Sequence, residues 1–93
     1  MTQTRRDQIH SIDAKLYLFG TESHPSLLNE LEAILEEEIS DFNSMPEGLQ
    51  QSGRGAESRD AQAYLQKAIK ALSLVTSGKK KTLDEVHDNL RLV

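Results

Sequence analysis

Apolar residues recur at helical intervals in four separate stretches of the chain. The first carries Ile9, Ile12, Leu16 and Phe19, spaced three, four and three apart, which lines one side of a helix. Gly20 follows where a left-handed C-terminal cap belongs. The second starts near Pro25, with Ser23 or Ser26 as cap, and runs through Leu28, Leu31, Leu35, Ile39 and Phe42, widened by Leu27 and Ile34. The third spans residues 56–76. Ala61, Leu65, Ala68, Leu72 and Val75 form its stripe and Tyr64 and Ile69 lie beside it, while Glu57 and Asp60 fall in its first turn and Gly78 ends it. The fourth opens at Thr82 with "TLDE", which has the form of a capping box, and continues through Leu83, Val86, Leu90 and Val93.

These patterns predict an all-α fold. Residues 26–43 and 56–76 are read as an antiparallel helical hairpin, with the shorter N- and C-terminal helices packed on it, or on a second copy, as a small bundle. Ninety-three residues fit one domain, 1–93. Apolar residues make up 37% and Trp is absent, so the stripes are lean, and a homodimer is expected to complete the core.

The connection within the hairpin reads "NSMPEGLQQSGRG" (residues 43–55), longer than the two to eight residues usual between helices. "SMPE", Ser44 to Glu47, has the form of a second capping box with a proline in its first turn. A short turn is predicted through Leu49, with that side chain plugging the end of the hairpin and "QQSGRG" as an open loop. Gly53, Arg54 and Gly55 offer backbone N–H groups and a positive charge to an anion. The lysine and following Ser/Thr of a phosphate-binding loop are missing, however, so the structural reading is preferred.

"EEEISDFNSMPEGLQQSGRG", followed from Ala61 by "AQAYLQKAIKAL", resembles a pattern in small uncharacterised helical proteins of bacteria and their phages. Those proteins carry a glutamate-rich helix end, then N-x-P-E-x-L-Q, a glycine, and a helix with paired Leu and Ala. The chain has two residues rather than one between Asn43 and Pro46, and the likeness covers residues 36–72. It implies a helical hairpin and a mobile-element setting, and no catalytic residue.

Charge is segregated beneath a net −4. Between Leu16 and Gly53 there is no Lys or Arg, while eight acids fall there: Glu22, Glu30, Glu32, Glu36, Glu37, Glu38, Asp41 and Glu47. Arg5, Arg6 and Lys79, Lys80 and Lys81 lie outside this segment and are the candidates for contact with nucleic acid phosphates. Asp84, Glu85 and Asp88 make the last helix a poor recognition helix. Nucleic acid binding is therefore the second reading.

Little in the sequence points to catalysis. Cysteine is absent, which removes thiolate nucleophiles and cysteine–zinc sites. His10, His24 and His87 lack metal-ligand spacing, no G-x-S-x-G occurs, and no Glu-x-x-His suggests a di-iron bundle. Glu36, Glu37 and Glu38 spread about 200° around a helix and cannot converge on one cation. Glu38 lies beside the apolar stripe. A solvated edge is its expected place; if it turns inward, Arg54, Arg59 or a second chain supplies the cation. The start "MTQTRRDQIH" lacks a signal-peptide core and no run approaches the roughly eighteen apolar residues of a membrane span. The sequence thus predicts a cytoplasmic, non-enzymatic interaction protein with no metal, cofactor or membrane partner. Its expected contacts to a protein partner, whose identity the sequence does not give, are Glu36, Glu37, Glu38, Asp41, Pro46, Glu47, Leu49 and Arg54.

Overall fold

The computed structural model describes residues 2–18, 24–77 and 83–93. Every regular element among them is helical: α1 (Gln3–Leu18), α2 (His24–Ser44), α3 (Glu47–Gln50), α4 (Gly53–Thr76) and α5 (Leu83–Leu92). The expected caps at Gly20, Ser23, Gly78 and Thr82, the apolar contact of Phe19 and the three lysines 79–81 lie outside the described residues.

Four of the helices close a ring. α4 packs along α2 and along α5, and α1 completes the ring against α5 and α2. Each contributes one apolar row. Ile9, Ile12 and Leu16 come from α1; Leu27, Leu31 and Ile34 from α2; Leu65, Ala68, Ala71 and Leu72 from α4; Val86 and Leu90 from α5. Leu31, Leu65, Ala68, Leu72 and Val86 are wholly enclosed. Burying a Leu or Ile side chain contributes roughly 1.5–3 kcal/mol, so this shared core is the main stabilising term. The radius of gyration, 13.6 Å, is that of a folded chain of this length.

On α2 the centre of the buried face differs from the expected one. Leu27, Leu31, Ile34 and Glu38 point inward, while Leu28, Leu35, Ile39 and Phe42 are less deeply placed, Leu35 and Ile39 being half-buried. Both rows are apolar enough to be central. Packing of α1 and α5 on one side of the α2–α4 pair selects the first row and leaves the second at the opposite edge.

The connector is not an open loop. α3 starts after Pro46, whose carbonyl accepts from the N–H groups of Leu49 (2.9 Å) and Gln50 (3.1 Å). The Ser44 hydroxyl makes no capping box. Ser44 still belongs to the last turn of α2, and its Oγ donates to the Ser40 carbonyl at 2.9 Å instead. Gln50 Nε2 donates to the carbonyls of Phe42 (3.0 Å) and Met45 (3.2 Å) at and just past the end of α2, the first of which also accepts the Met45 N–H at 3.1 Å. α4 then begins at Gly53 rather than at residue 56, because Ser52 is extended and its carbonyl takes the Ala56 N–H at 3.0 Å. Glu57 is consequently beyond the first turn of α4, which holds no acid.

Gly55 is the residue that makes this route possible. A Cβ there would sit 2.7 Å from the Gln50 Cα and closer still to that residue's carbonyl, so only glycine lets α4 start directly beneath α3. Gly53 has no such neighbour.

A polar tie joins the first and last helices. His87 Nδ1 lies 2.6 and 2.8 Å from the two carboxylate oxygens of Asp13. With His87 about one-third exposed, Asp13→Asn is expected to cost about 1 kcal/mol. The loss would show as a lower denaturation midpoint at unchanged slope.

Candidate functional site

Three apolar stripes continue into polar residues at the same end of the bundle. Arg5 stands one turn before Ile9, Glu38 one turn after Ile34, and Ser58 one turn before Ala61. All three are buried: Arg5 is 6% exposed, Glu38 1% and Ser58 wholly enclosed. The Ser58 hydroxyl donates to Glu38 Oε1 at 2.8 Å, and Arg5 Nη1 lies 3.5 Å from Glu38 Oε2. Arg5 also pairs through Nη2 with Asp41, one turn further along α2 and largely exposed. Its Nε donates to the Thr2 hydroxyl at 3.3 Å, and that same hydroxyl accepts the Arg5 backbone N–H at 3.2 Å, so Thr2 caps α1 and orients Arg5 together. Gln62 Nε2 approaches Ser58 Oγ at 3.3 Å and extends the network along α4. A buried carboxylate persists only when its charge is met, and here a guanidinium and a hydroxyl meet it.

The network opens onto a cleft of about 450 Å³ lined by Thr2, Arg5, Arg6, Glu38, Asp41, Met45, Leu49, Arg54 and Glu57. Three arginines and three acids line it, and Arg6 Nη2 stands 3.9 Å from Glu57 Oε1. The cleft is polar and its charges balance.

The structure brings Glu38, Asp41, Leu49 and Arg54 from the expected partner-contact set into one cleft, together with Arg5 and Arg6 from the nucleic-acid set. It separates them from the rest. Glu36 and Glu37 are exposed on α2, and Glu37 faces a cleft between α1 and α2 with Lys15 and Glu30. Pro46 and Glu47 are exposed on the connector. Two side chains stand elsewhere than expected. Glu38 is not on a solvated edge and its cation is Arg5 rather than Arg54 or Arg59, because the inward row of α2 runs through it. Leu49 does not plug the bundle. It is 41% exposed, since Gln50 takes the inward position on α3. Arg5, expected to meet phosphates, is buried and pairs with Glu38 and Asp41.

Sequence reasoning missed the Arg5–Glu38–Ser58 layer although a signal was present. Each residue continues its own helix's stripe at a spacing of three or four, and two of them carry opposite charge. His24 is a further buried polar residue, 2% exposed at the start of α2, and neither ring nitrogen has a hydrogen-bond partner among the described residues.

Chemically, the cleft holds charges that neutralise one another. It has no histidine to move a proton, and among the described residues no three His, Asp or Glu side chains are grouped to hold a metal ion. No described helix is long and apolar enough to cross a membrane. No protein-family model, curated protein or solved structure matches the chain.

Proposed function

We propose that this chain is a small non-enzymatic interaction and regulatory protein, a homodimer built on an antiparallel hairpin of residues 26–43 and 56–76. It holds a protein partner through the acidic face of α2 and the connector at residues 46–55. The observation that carries this reading is Leu49. An apolar side chain stays exposed on a turn in which the N–H groups of Leu49, Gln50, Gln51 and Ser52 and the helix-end carbonyls are bonded, so the backbone that carries it is ordered before contact. A side chain already held in place loses less freedom on contact, so an exposed apolar group on a bonded turn can anchor a partner at low ordering cost. The exposed acids add selectivity. No ion pair holds Glu36 or Glu37 among the described residues, with Lys15 bordering the same cleft as Glu37, whereas Arg5 already occupies Glu38 and Asp41. An outside cation is therefore the natural complement of the outer pair.

The hairpin reading is supported by which residues meet. Glu38 reaches Ser58, while Glu32 and Leu35 share a groove with Gln66, Ile69 and Lys70, so numbers fall on one helix as they rise on the other. A bacterial or phage setting, in which such a protein would inhibit or adapt a host factor in the cytoplasm, rests on the sequence resemblance alone.

The test is affinity capture from bacterial lysate after nuclease treatment, using the parent chain, Leu49→Asp, and Glu36→Lys combined with Glu37→Lys. The parent is expected to retain a protein that both variants lose at unchanged helicity. Equal capture by all three, or capture that nuclease abolishes, would overturn the reading.

A further inference from the structure

We infer that two copies of this chain meet face to face across the groove between α2 and α4, whose α4 rim, Lys70 and Leu74, also borders a cleft towards α5. This rests on the homodimer of the proposed function and names its interface. The groove has a volume of about 440 Å³, and Leu35, Ile69 and Leu74 form its floor. All three are half-buried, left over when the inward rows of α2 and α4 were taken by the core.

The rims supply the choice of occupant. On the α2 side the charged residue is Glu32; on the α4 side it is Lys70, which also borders the cleft that holds Glu85; both are exposed, and no ion pair joins them within the chain among the described residues. A two-fold axis lying in the groove and parallel to the helices carries each α2 onto the α4 of the other copy at the same height. Glu32 of each chain then faces Lys70 of the other, twice, around a shared centre of Leu35 and Ile69. The surface is complementary to itself, as an isologous contact requires. A basic or an acidic foreign partner would match only one rim and be opposed by the other. Glu37 lies towards α1, and Leu49 on the connector, so the proposed partner contacts at those positions stay open in such a dimer.

The test is sedimentation velocity on the full chain over a concentration series, with Glu32→Lys, Lys70→Glu and their equimolar mixture. Each variant alone sets like charges opposite at both rims and is expected to self-associate roughly tenfold or more weakly than the parent. In the mixture the two substituted side chains face each other with opposite charge, and so do the two unsubstituted ones, Lys70 of the first variant and Glu32 of the second. Both attractions are restored, and the mixture is expected to recover the parent dimer as a heterodimer. No effect confined to one chain produces that recovery. A parent dimer that both variants keep would overturn this interface while leaving the homodimer standing. A parent that is monomeric throughout would overturn both. Circular dichroism of each variant checks folding; should either reversal unfold the chain, Glu32→Gln with Lys70→Gln replaces it. That neutral dimer is expected to lose the parent's salt sensitivity, and unchanged salt sensitivity would overturn the interface.

Discussion

Gly55→Ala is expected to lower stability by about 2–3 kcal/mol, as overpacking of a closed contact does. For a chain of this length that is a drop in Tm of roughly 10–20 °C. The cause is local and specific. The added methyl would fall on the backbone of Gln50, not on the tip of a flexible side chain, so relief requires α3 to move as a unit. Moving α3 carries Gln50 Nε2 away from the carbonyls of Phe42 and Met45, leaving the first with only the Met45 N–H and the second to water. Gly53→Ala is the control. Nothing lies within 4 Å of its Cβ position, and the substitution should leave stability unchanged or raise it by up to about 1 kcal/mol through reduced freedom of the unfolded chain. Thermal denaturation of the two variants beside the parent decides the point. Equal effects would mean that α3 does not lie against α4 as described.

Arg5→Ala is expected to have the largest effect of any single substitution. It takes the guanidinium away from Glu38, which stays enclosed beside the Ser58 hydroxyl, and removing one partner of a buried pair costs about 3–5 kcal/mol. A domain of this size has a margin of only several kcal/mol, so the variant should be largely unfolded at moderate temperature. Asp41→Ala removes the other carboxylate bonded to Arg5, but that group stands mostly in water and its loss should cost below about 1 kcal/mol. Replacing both charges, Arg5→Met with Glu38→Leu, should recover most of the stability, because well-packed apolar residues commonly equal or exceed a buried ion pair. Denaturant titration of the three variants beside the parent gives the comparison. Small and similar losses for Arg5→Ala and Asp41→Ala would place Glu38 in solvent.

The helices were legible in the sequence because each carries a stripe at a spacing that only a helix brings to one side. Ile9, Ile12 and Leu16 did so on α1, and Val86 and Leu90 on α5, and all five are buried. What the stripes left open was rotation. Leu27 beside Leu28, and Ile34 beside Leu35, are equally suited to the interior, and only the position of α1 and α5 chooses between them. That choice decides whether Glu38 is inside or outside, and so the polar layer was hidden by the same ambiguity. The connector was harder for a different reason. Its course depends on one close approach of backbone to backbone at Gly55, and glycine in a sequence does not say whether it is there for space, for an unusual angle or for neither.

Arg5, Glu38 and Ser58 also act as an index mark for the bundle. Helices joined by uniform apolar seams can slip lengthwise by one turn, about 5.4 Å, and still bury comparable surface. Here such a slip would set Glu38 against Ile9 or Arg5 against Ile34, stranding a charge among hydrocarbon. The wrong registers are thus penalised far more than the right one is rewarded. A chain carrying Arg5→Met and Glu38→Leu would then be stable yet less singular: it should melt as well as the parent while its side-chain NMR resonances broaden or double, the signature of several alignments sharing one core.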